Sequence, residues 1–101
     1  MLWKSKEEKE LEKAKRRAEY QEKLLNFVKS LGEPRTNRDI ELADNRIAMY
    51  ATMTHPTLPY GSTYVSKCLA MMESIELQRM YNEMYSDKIQ VIEERREKWL
   101  S

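Results

Sequence analysis

The sequence predicts an all-α protein of three helices, at about residues 5–31, 37–53 and 62–100, forming an elongated hairpin or bundle with coiled-coil-like ends. Three observations predict it. Apolar residues recur at three- and four-residue spacing in three blocks, residues that cap helices stand ahead of each block, and both glycines and all three prolines fall between the blocks. A chain of 101 residues is long enough for one core and too short for two. It is 35% charged and 41% hydrophobic, with 18 basic against 17 acidic side chains, so it is thin in core and rich in solvated helix surface.

The first helix has Ser5 and Glu8 in capping-box relation at its start, and Gly32 followed by Pro34 at its end. Leu11, Ala14, Ala18, Leu25 and Val28 form a narrow coiled-coil seam interrupted by Gln21, and Leu24, Phe27 and Leu31 widen it toward the C-terminus. Residues 1–23 therefore read as a charged helical arm and the rest as a docked segment. Lys4 to Lys23 mix both signs, which nearly cancels the field that phosphate binding needs, so the arm reads as a solvated helix more than as a nucleic-acid contact.

The second helix opens on Thr36 with Asp39 three residues later, and Ile40, Ala43, Ile47, Tyr50 and Ala51 mark its covered face. Pro56 pushes His55 out of helical conformation, and Pro59 and Gly61 complete a loop over residues 54–62. Ser62 or Thr63 caps the third helix, which meets no proline or glycine before Leu100 and spans about 60 Å. Its stripe of Val65, Cys68, Leu69, Met72 and Ile75 gives way to Leu77, Met80, Tyr81, Met84, Tyr85, Ile89, Ile92 and Trp99. That rotation of the apolar face predicts a bend near Ser74–Arg79 or two different partners along one rod.

Helices of about 40 and 60 Å do not fit inside a globule whose radius of gyration would be about 13 Å. Their projecting parts carry apolar seams that need cover, so a homo-oligomer or a protein partner is expected. Met72, Ile75, Leu77, Met80, Tyr81, Met84, Tyr85 and Ile92 are the expected partner interface, methionine for its adaptable shape and tyrosine for its half-wet ring.

Catalysis is not expected. The single histidine, His55, has no activated nucleophile in its local sequence, and Cys68 stands in an apolar stripe as a small hydrophobe. One histidine and one cysteine exclude zinc-finger and Glu-x-x-His metal sites, and no phosphate-binding loop or nucleotide fingerprint occurs, so neither a metal nor a cofactor is expected. No apolar run reaches the span of a membrane helix, and the opening residues lack a signal-peptide core, so a cytoplasmic, reducing location is expected, with no membrane contact.

The alternative is a helical oligomer that binds a nucleotide-like or nucleic-acid ligand near residues 54–63. Arg46, His55, Tyr60, Gly61, Ser62 and Thr63 would form that site, with free backbone donors at the helix start and a tyrosine ring for stacking. The segment Gly61–Leu69 also has the polar-out, apolar-in pattern of a recognition helix. The helix before it ends too early for a helix-turn-helix, and a net charge of +1 gives little affinity for a phosphate backbone, so nucleic acid is not favoured. Short, charge-dense, methionine-rich helical chains are common among phage accessory proteins and small subunits of assemblies, but no motif here points to a family. The function expected is non-enzymatic: an oligomerising adaptor, inhibitor or assembly subunit.

Overall fold

The computed structural model describes residues 5–57, 59 and 61–100. Among them the chain is all-helical and has four helices where the sequence predicts three: α1 (Lys6–Leu31), α2 (Asn37–Thr54), α3 (Thr63–Met84) and α4 (Ser86–Leu100). None is long and apolar enough to cross a membrane.

The three expected caps form as hydrogen bonds. Ser5 Oγ accepts from the Glu8 N–H and Ser62 Oγ from the Val65 N–H. Thr36 and Asp39 make a reciprocal capping box, the Asp39 carboxylate also accepting the Arg35 N–H at 2.9 Å. Gly32 ends α1 with φ of 77°, a backbone region that residues with a Cβ avoid.

The single long third helix is the element the structure corrects. Its backbone leaves helical geometry at Tyr85, where φ is −118° and ψ 26°, and α4 begins at Ser86. The break lies beyond the Ser74–Arg79 stretch where the shifting apolar face suggests a bend. Its cause is the spacing of the core residues. Glu73, Leu77, Tyr81, Tyr85 and Ile89 are each four apart, so on an ideal helix they drift by about 40° per step and carry Ile89 away from the core face. The irregular residue Tyr85 interrupts that progression, and beyond it Ile89 shares a groove with Ile40 of α2.

The core is one cluster: Leu24 and Val28 of α1, Ala43 and Ile47 of α2, Leu77 and Tyr81 of α3. Thr54 at the end of α2 bonds Glu73 of α3, while Ala43 near its start lines the same cavity as Tyr81, so α2 and α3 run antiparallel. The C-terminal half of α1 lies against this pair, with the Phe27 and Tyr50 rings stacked at 4.0 Å. The Tyr81 and Tyr85 rings meet edge to face at 5.3 Å across the break. A surface pair, Lys88 Nζ to Glu33 at 3.3 Å, links α4 to the α1–α2 loop.

The molecule measures 67 × 33 × 20 Å, with a radius of gyration of 18.2 Å, well above the about 13 Å of a compact chain of this length.

Candidate functional site

Along the first half of α3 the structure reverses the expected facing. The stripe of Val65, Cys68, Leu69, Met72 and Ile75 is not the covered one. Cys68 is half-buried, but the other four are exposed together with Tyr64 and Met71, and Met72 and Ile75 keep 67% and 63% of their surface in solvent. The positions aimed at α2 on these turns are Ser66, Ala70 and Glu73, small or polar groups that let the hairpin close.

The expected interface residues consequently separate into two groups. Leu77, Tyr81 and Ile92 are buried in the chain's own packing, and Met80 and Tyr85 lie half-buried against the same core. They are therefore committed within the chain, because they fall on the α1- and α2-facing side of α3 or on the inner side of α4. Met72 and Ile75 stay open, and Met84 stands at the edge of a groove with Leu25, Arg79, Met80 and Glu83. Trp99, near the end of the α4 stripe, is also exposed.

The residues of the 54–63 loop are only partly brought together. His55, Gly61 and Ser62 line a mainly apolar cavity of about 420 Å³ with Thr54, Pro56, Val65, Ser66 and Leu69. Thr63 is the exposed first residue of α3, and Tyr60 lies outside the described residues. Arg46 does not approach this loop. It lines a different cavity of about 220 Å³, with Arg35, Glu33, Asp39 and the α1–α2 loop, because it lies nine residues, roughly 14 Å, before His55 along α2.

His55 itself is engaged. Its Nε2 contacts the Glu73 carboxylate, which is only 5% exposed and also accepts the Thr54 hydroxyl at 2.8 Å. The same turn is tied at Ser66, whose hydroxyl donates to the Pro56 carbonyl. Glu73 is a residue that sequence reasoning missed as a partner for His55. The signal was available in part, since a carboxylate on the core side of α3, in line with Leu77 and Tyr81, needs a partner to be buried. Among the described residues no buried side-chain polar atom lacks a hydrogen bond.

Electrostatics around the hairpin follow from these contacts. Burial, then the nearby Glu73 carboxylate, push the Tyr20 phenol above its ordinary value. Burial, then Asp44, do the same to Tyr81. On the outer side of α3 the Arg79 guanidinium bridges Glu76 and Glu83, holding Glu76 below the usual carboxylate range, while those carboxylates hold Arg79 above its own. The backbone N–H of Arg35 holds the Asp39 carboxyl low.

Chemically, the His55–Glu73–Thr54 group fastens the interhelical loop to the core. It places a carboxylate, not a cation, on the imidazole, and the cavity beside it is lined mostly by carbon. The feature with unspent potential is the outward face of α3. No protein-family model, curated protein or solved structure matches this chain.

Proposed function

We propose that the chain is a non-enzymatic helical association module, a homo-oligomer that serves as an adaptor, inhibitor or small assembly subunit. One observation carries this reading. A folded monomer of 12.1 kDa exposes about 6,000 Å² by size scaling, whereas this chain exposes 8651 Å², an excess of about 2,600 Å². Much of its apolar side-chain surface is open: Met49 and Met53 on α2 as well as the outward residues of α3. Excess area of that size is what larger, obligate interfaces bury, and open methionine, isoleucine and tyrosine side chains associate in water.

A nucleotide-like ligand at residues 54–63 has less support, because Glu73 occupies the His55 ring and Arg46 faces another cavity.

Light scattering across a hundredfold range of concentration tests the reading. A defined oligomeric mass is expected, and a monomeric mass at every concentration would overturn it.

A further inference from the structure

The outward face of α3 carries Tyr64, Cys68, Met71 and Ile75 at spacings of four, three and four, the seam of a two-stranded coiled coil. At 100° per residue this seam lies about 150° around the helix from Glu73, Leu77 and Tyr81, so the hairpin core and the seam occupy opposite sides of one helix. Among the described residues Tyr64, Met71 and Ile75 are each more than 60% exposed, and the small Cys68 between them is half-buried.

We infer that a second copy of this chain covers the seam, the two α3 helices pairing antiparallel about a two-fold axis between Cys68 and Met71. The inference rests on the association reading above and adds the surface and the direction. Charge identifies the occupant. Across a two-fold axis residues near the centre meet their own kind, so a charged patch there repels itself. In a protein that is 35% charged, the stretch Tyr64–Ile75 has only Lys67 and Glu73, and Glu73 is buried in the protomer's own core. The face is therefore apolar and nearly uncharged, suited to its own copy and poor in the features by which a charged partner would be selected.

The same logic sets the direction. Arg79 lies about 50° from the seam axis one turn beyond Ile75 and bridges Glu76 and Glu83, so parallel helices would bring two like-charged Arg79–Glu76–Glu83 clusters to the same height. Antiparallel pairing separates them, opposes the helix dipoles favourably, and sets bulky Tyr64 and Ile75 in one layer and Cys68 with Met71 in the next. The excess surface of about 2,600 Å² per chain exceeds the roughly 800 Å² per partner of a standard stable interface, so this contact does not exhaust it.

Disulfide trapping tests it in the full-length chain with Cys68→Ser. Tyr64→Cys and Ile75→Cys together place two thiols about 16 Å apart along one helix, too far for a bond within a chain. Under mild oxidation the double variant should become mostly covalent dimer, reversed by reductant, while each single variant stays monomeric on a denaturing gel. Crosslinking by both single variants would mean parallel helices and overturn the inference. Absence of covalent dimer in a helical, associating double variant would place the interface elsewhere, on the α1 arm for example, and overturn the inference while the association reading stands. A wild type that scatters as a monomer at every concentration would remove both. As an independent measurement, Met72→Glu with Ile75→Glu should halve the scattering mass of a dimer with helicity unchanged by circular dichroism; an unchanged mass counts against this face.

Discussion

The two halves of α1 are equally helical and very unequally packed. From Lys6 to Lys23 no side chain is buried, and Leu11 keeps 70% of its surface in solvent, whereas Leu24 and Val28 four residues apart are fully enclosed. The first half is maintained by local terms: the Ser5 cap, acidic residues in the first turn, and i,i+4 pairs of opposite charge such as Glu12 with Arg16, worth only a few tenths of a kcal/mol each. The second half is held by the core. The contrast shows that helix formation and burial are separately encoded here, and that the same apolar spacing can mark a packed face or an open one.

Substitutions break this contrast in order of size. Leu77→Ala empties the centre of the cluster and should lower unfolding free energy by about 2–5 kcal/mol in denaturant titration, while Leu11→Ala should change it by less than about 0.5 kcal/mol in conditions where the chain is monomeric. Equal effects would mean that the arm is part of the core.

Next comes the half-buried His55 and its buried partner. His55→Ala leaves the Glu73 carboxylate without its imidazole and should destabilise by about 1–3 kcal/mol. Adding Glu73→Met should recover most of that loss. A double variant no better than the single one would show that the carboxylate is not what makes the histidine necessary.

Smaller effects belong to the start of α2. Thr36→Ala removes one arm of the capping box and should cost about 1 kcal/mol in thermal or denaturant unfolding. The Asp39 carboxyl sits below its ordinary value of 3.8 because the Arg35 and Thr36 N–H groups favour its charged form. A depressed folded value contributes stability that is present above the unfolded value and lost as pH falls through the folded one. Acid titration of stability should therefore show a component below about pH 4 that Asp39→Asn removes. If the acid limb is the same in the variant, other carboxylates carry it.

Legibility followed the range of the interaction. Caps at Ser5, Thr36 and Ser62, the stop at Gly32 and the loop around Pro56 were all readable, because each depends on residues within a few positions. The assignment of faces on α3 was not. Val65, Cys68, Leu69, Met72 and Ile75 make the better apolar stripe in sequence, yet the hairpin closes on the side of Glu73, which receives the Thr54 and His55 contacts, and of Ser66, which bonds the Pro56 carbonyl. A carboxylate reads as solvent-facing until its partners, more than fifteen positions away along the chain, are known.

By itself the sequence determined the all-helical class, the positions of the caps and interhelical loops, and the elongation that follows from two projecting charged ends. Only the tertiary structure decided that the third helix divides at Tyr85, that Leu77, Tyr81 and Ile92 are inner residues while Met72 and Ile75 are outer ones, and that Arg46 and His55 belong to different cavities. The physical reason is that helical periodicity defines which residues share a face and leaves open which face is covered. That choice is made by packing between elements, where small and polar side chains with partners can outcompete a longer apolar stripe.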